Sequence, residues 1–262
     1  MNEGEQAQTI SPTLEVDWHK KGDILERTVG RLFSIPENIM SATPLAFLDD
    51  SKRENIGALE EKYKDIPFQG QVKVYLNHSS FFDQMKRLFS SERRTSILYR
   101  GTLGLLETVG LTLWGKLARL NAYNAATESV QIYHPEKAIA ISKIESAKIF
   151  SDTEHPTLLA IAQWLPFVNT VIAWKSRKEA LKRLGNDSIE EQNKANKILS
   201  SRVGSDIGRD IAAYIGGVGL GQIILSAASL PWLGALAGYI SARNRNPELN
   251  KITTSKASAE QT

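Results

Sequence analysis

The chain contains no cysteine in its 262 residues. Disulfides, thiolate metal sites and cysteine nucleophiles are therefore excluded, and a reducing compartment suits it. Histidine is scarce as well. His19, His78, His134 and His155 are the four present, and no two have the spacing by which one helix offers two imidazoles to a metal. The opening stretch MNEGEQAQTISPTLEVDWHKKGD is polar and acidic, without the apolar segment of a secretory signal. No GxxxxGK[ST] phosphate loop occurs. The glycines of GGVGLG (216–221) lie in an uncharged stretch with no strand before it, so helix packing explains them better than phosphate binding. A net charge of only +3 gives little support to nucleic acid as partner.

What charge there is lies unevenly. Residues 1–65 carry 13 acidic and 8 basic side chains, and the remainder 24 basic and 16 acidic. Basic groups recur in KRLFSSERR (86–94) and KSRKEALKR (175–183), which read as solvated helix faces or a collar near a membrane. Charge is missing altogether from residues 211–242, a run of 32. A straight helix of that length would measure about 48 Å, against roughly 30 Å of bilayer hydrocarbon. Pro231 interrupts it, and Gly217/Gly221 and Gly234/Gly238 repeat at the four-residue interval that lets helices approach closely. A glycine-rich apolar helical hairpin over 206–246, associated with a membrane, is expected. Arg243, Arg245, Lys251 and Lys256 follow the run and place its end, with the bulk of the chain, on the cytoplasmic side.

Elsewhere the patterning predicts an α+β, mostly helical protein. A flexible acidic tail covers 1–22, a folded domain 23–205, and a disordered tail 247–262. Helical spacing marks 23–34, 51–64 (with Ser51 as N-cap), 101–120, 135–150 and 188–210. Residues 151–186 form two helical pieces broken at Pro166 and capped by Gly185 or Asn186. Alternation marks QVKVYL (71–76), TSILYR (95–100) and ESVQIYH (128–134) as strands. His78 sits in the loop NHSSFFD (77–83), read as a surface loop in preference to a small hydrogen-bonded pair of His78 with Asp83.

One helix carries a further reading. AIAISKIESAKIFSD (138–152) has the small and apolar frame of a zinc-peptidase metal helix without its ligands. Tyr123-Asn124, Ile132-Tyr133, Ala138-Ile139-Ala140, Ala147-Lys148 and Phe150 match in place. Downstream, VIAWKSRKEALKRL (171–184) and the glycine-rich AAYIGGVGLG follow in the same order. Over residues 120–242 the chain resembles a bacterial group of HExxH, gluzincin-type zinc metallopeptidases. The resemblance implies a zincin-like core with a small sheet.

It also implies where the metal chemistry would sit. The two histidine positions fall on Ser142 and Ser146, the general-base glutamate on Lys143, and the third ligand on Ala173. A serine hydroxyl is a poor zinc ligand and an alanine is none. An ammonium about 4 Å from a dication is repelled by roughly 4 kcal/mol per unit-charge pair at an effective dielectric near 20. A pseudo-peptidase is therefore expected, with no metal or other cofactor, holding an unknown protein partner at a membrane. Two alternatives stand beside it: a serine hydrolase using Ser146 and Lys143, and a membrane structural protein with accidental zincin similarity. If the resemblance holds, Ser142, Ser146 and Ala173 line one common pocket.

Overall fold

The computed structural model describes residues 5–11, 14–19, 51, 53–165, 167–216, and helical residues 235, 237, 238, 240 and 241. A mixed five-stranded sheet runs β1 (Glu5–Ser11), β2 (Leu14–His19), β3 (Val72–Leu76), β5 (Ser129–Ile132), β4 (Ala122–Asn124). β2, β3 and β5 are parallel, and β1 and β4 are antiparallel edges. The helices are α1 (Glu54–Tyr63), α2 (Phe81–Leu88), α3 (Ile97–Gly101), α4 (Leu103–Ala118), α5 (Lys137–Asp152), α6 (Pro156–Ala162), α7 (Val168–Arg183) and α8 (Ile189–Gly216). The protein is thus mostly helical with a small mixed sheet, as the patterning predicts.

The acidic tail is a correction. Glu5–Ser11 and Leu14–His19 are strands, and Leu14 and Val16 are fully buried beside Val72 and Val74. Leu14, Val16 and Trp18 alternate as a half-buried strand requires, a signal that the acidic composition outweighs on first reading. TSILYR is the second correction. It forms α3, because the Ser96 hydroxyl caps the helix by accepting the Tyr99 amide (3.2 Å), and the buried pair Tyr99 and Arg100 are adjacent rather than alternate. Nor does Ser51 cap α1. Its hydroxyl instead accepts from Asn55 Nδ2 (3.0 Å), and the capping position is Arg53. The segment read as a loop after His78 is helix α2, capped by Ser80.

One sheet face and α1, α5, α7 and α8 bury a continuous core that includes Leu59, Tyr63, Val74, Ile132, Ile141, Ile144, Ala180 and Leu199. The other face is polar and lies under α2, where Gln84 accepts from Ser129 Oγ (2.9 Å) and Arg87 donates to the carbonyls of Gln71, Thr127 and Glu128. Within 86–94, Arg87 and Arg93 point inward and are buried.

The uncharged run lies mostly outside the described residues, as does the helix expected at 23–34. Its first six residues continue α8. No helix among the described residues is long and apolar enough to cross a membrane. Near the end of the run, Gly238 comes so close to α8 that an added Cβ would stand 2.1 Å from the Ser200 carbonyl oxygen. Only glycine fits there, so this part of the run packs on the domain.

Leu14→Ala should lower stability by about 2–5 kcal/mol in urea denaturation, the cost of an emptied core site. A change within about 0.5 kcal/mol would return residues 1–22 to the status of a tail.

Candidate functional site

Among the described residues, β4 pairs with β5 on one side only. Asn121, Ala122 and Tyr123 at this edge line a cleft of about 840 Å³, walled by α4, α5, α7 and α8. Tyr123, Phe150, Trp164 and Ile172 give it an apolar floor, and Glu107, Lys143, Arg202 and Asp206 bring charge. Of its lining side chains, Leu106 and Trp164 are large, apolar and exposed.

Two helices meet here, and their sequences explain how. α5 is buried nearly all round, with small residues Ala138, Ala140 and Ala147 where neighbours come close. α7 buries a narrow stripe of Ile172, Ser176 and Ala180, spaced i, i+4, i+8. At the crossing, Ser146 Oγ lies 2.9 Å from Ser176 Oγ and donates or accepts there, and it also approaches the Ser142 carbonyl (3.2 Å). The start of α7 is held to α8 by Asp210, whose Oδ2 accepts the Phe167 amide (3.0 Å) and the Thr170 hydroxyl. Phe167 adopts the left-handed backbone (φ 68°) that turns the chain into α7 after the segment holding Pro166.

Ser142, Lys143, Ser146 and Ala173 line one small pocket of about 20 Å³. Lys143, Ser146 and Ala173 also line the large cleft, so the two spaces adjoin. The four positions named from the sequence are brought together by α5 and α7. The other candidates separate. His134 is buried at the start of α5, where burial first, then the charges of Arg202, Arg119 and Lys194, push its imidazole down to about 3. His155 is exposed before α6. His78 and Asp83, the less favoured pair, have other partners: Asp83 accepts from Tyr75 Oη and pairs with Lys73 (3.1 Å), while His78 Nε2 lies 3.4 Å from Asp17.

Glu107 is the residue that sequence reading missed, hidden in an apolar glycine-loosened helix. Its carboxylate accepts from Tyr99 Oη (2.6 Å) and Gln163 Nε2 (3.2 Å). Burial raises it to about 7, although hydrogen bonds from Tyr99, the Ala125 backbone and Gln163 act in the opposite direction. With its surroundings, the cleft can take an apolar chain and meet both positive and negative groups.

Comparison with protein families, curated proteins and solved structures finds no match.

Glu107 has a sign that can be checked. An acid whose folded pKa exceeds its unfolded value of 4.5 stabilises least at high pH: the contribution is intact below 4.5 and lost as pH rises through about 7. Relative to wild type, Glu107→Gln should gain about 2–3 kcal/mol between pH 4.5 and about pH 8. Urea titrations at both pH values give the comparison, and a gap that stays constant contradicts the assignment.

Proposed function

We propose that the chain is a catalytically inactive, zinc-peptidase-like protein whose cleft binds an extended segment of a protein partner. One observation carries the reading: Ser142, Lys143, Ser146 and Ala173, named as emptied ligand and base positions, line one pocket although they stand on two helices. The edge strand β4 adds a means of recognition. An incoming extended chain can pair with its open side, while the apolar floor receives alternate side chains. The exposed Leu106 and Trp164 in its lining favour an apolar partner, and the uncharged run supports a setting at a membrane surface.

The serine-hydrolase alternative is less well supported. Ser146 Oγ is 7% exposed as part of its residue and engages Ser142 and Ser176 across the helix crossing, a packing role for the hydroxyl.

The test restores the missing ligands. The variant S142H/K143E/S146H/A173E, made with His19 and His78 replaced by alanine, should bind one equivalent of zinc by calorimetry, while the parent H19A/H78A chain binds none. A folded quadruple variant that takes up no zinc would show that α5 and α7 do not hold a zincin arrangement. For the binding role, Ala173→Trp should abolish capture of peptides selected from a displayed random library on the wild-type cleft, and Lys178→Glu on the outer face of α7 should not. Equal capture by Ala173→Trp would place the peptide site elsewhere.

A further inference from the structure

The sheet face turned away from α5 holds a second group of side chains. Alternation along β2 sends Leu14, Val16 and Trp18 into the core and Asp17 and His19 to the opposite face. Directly after β3, Asn77 takes φ 66°, and its side-chain amide donates to the carbonyls of His19 (3.0 Å) and Ser51 (2.6 Å). This anchored turn lays the ring of His78 flat on His19, with centroids 3.6 Å apart and planes 15° from parallel. Asp17 lies alongside both rings, its Oδ2 3.4 Å from His78 Nε2 and its Oδ1 3.9 Å from His19 Nε2.

We propose that Asp17, His19 and His78 form a binding site for one divalent transition-metal ion. Each residue offers one ligand atom, and the three atoms lie within 4.8 Å of one another, the only such group of three among the described residues. His78 Nδ1 is 3.2 Å from the Leu76 carbonyl, which can only accept, so this nitrogen carries a proton. In a neutral ring the lone pair then stands on Nε2 and faces a carboxylate oxygen. Two acceptors at that distance need a positive centre between them, either a second ring proton or a metal ion.

Two imidazolium rings face to face at 3.6 Å would repel each other, so the rings do not both carry a second proton, whereas a single dication can be shared by all three side chains once the exposed His19 ring turns to bring its in-plane lone pair onto it. The backbone bond at Nδ1 is also the outer partner that metal-bound histidines characteristically have.

Local charge agrees. Lys73 Nζ lies 3.3 Å from Glu15, 3.5 Å from Asp17 and 3.1 Å from Asp83, so three carboxylates share one ammonium. Two nitrogens and one oxygen suit zinc, iron(II), cobalt or nickel rather than magnesium or calcium. Three protein ligands leave a coordination position for water or an outside ligand, and the His19 side chain, 32% exposed, is on the accessible side. The ion would also fasten the end of β2 to the turn after β3. It lies on the opposite sheet face from Ser142 and Ser146, and the proposal does not depend on the cleft reading.

Calorimetry on the tag-free full chain, stripped with chelator and titrated with zinc chloride and cobalt chloride, tests this. Wild type should bind one equivalent at micromolar affinity or tighter. Asp17→Asn and His78→Ala should each weaken binding more than about 100-fold, since loss of a direct ligand exceeds the effect of losing an outer partner. His155→Ala should bind as wild type does. On wild type alone, NMR of the ring nitrogens should show zinc shifting His19 and His78 but leaving His134 in place, a readout independent of whether a variant folds. Absence of stoichiometric metal on wild type, unmoved His19 and His78 signals, or unchanged affinity in folded Asp17→Asn and His78→Ala would overturn the proposal.

Discussion

A buried carboxylate, that of Glu145, ties three helices together. Its Oε1 accepts from Tyr63 Oη of α1 (2.7 Å) and from Arg183 Nε of α7 (3.1 Å). Glu145 itself is buried, and Tyr63 is fully so. A buried carboxylate without partners is costly, so α5 is held in the one rotation that lets both donors reach it. Burial, and the neighbouring Glu145 charge, push the Tyr63 hydroxyl well above its ordinary range, so it remains a donor. The same rotation brings Ser146 to Ser176 and carries Lys143 and Ser142 to the cleft side. The position of the candidate site therefore follows from how α5 is pinned.

The sheet separates two chemistries. Its apolar face packs on α5, whose far side borders the cleft, and the edge strand β4 runs along that cleft. Its polar face gathers Asp17, His19 and Lys73, and Asp83 in the first turn of α2 joins them. Such a face would be expensive if its groups were unpartnered, and the dense pairing among them offsets the loss of water. An apolar binding cleft and a charged cluster coexist in one small domain because strand alternation sends them in opposite directions.

Much of this was legible in the sequence. Long periodic stretches gave α4, α5, α7 and α8, and the apolar alternation gave β3 and β5. Ser142, Lys143 and Ser146 lie within two turns of one continuous helix, and Ala173 reaches their pocket because α7 crosses α5 along its narrow buried stripe. Features set by distant contacts were not legible. β2 was hidden by the acidity of its outward residues, Glu15 and Asp17. β4 has three residues, too few for a period to show. His19 and His78 are brought together by a strand register and by one left-handed asparagine, so nothing local to either histidine announces the pair. Glu107 looks like a lone polar residue on an apolar helix until Tyr99 and Gln163 are seen around it.

The absence of cysteine allows the α5–α7 crossing to be probed without background. In the double variant Ser146→Cys/Ser176→Cys, the two thiols take the places of hydroxyls that lie 2.9 Å apart, within the span a disulfide can close. Thiol titration after mild oxidation should find no free thiol in a chain that still unfolds cooperatively and remains monomeric with respect to disulfide bonding. Two free thiols in the folded, oxidised protein would mean that α5 and α7 do not meet at these residues, and the account of the cleft would be contradicted.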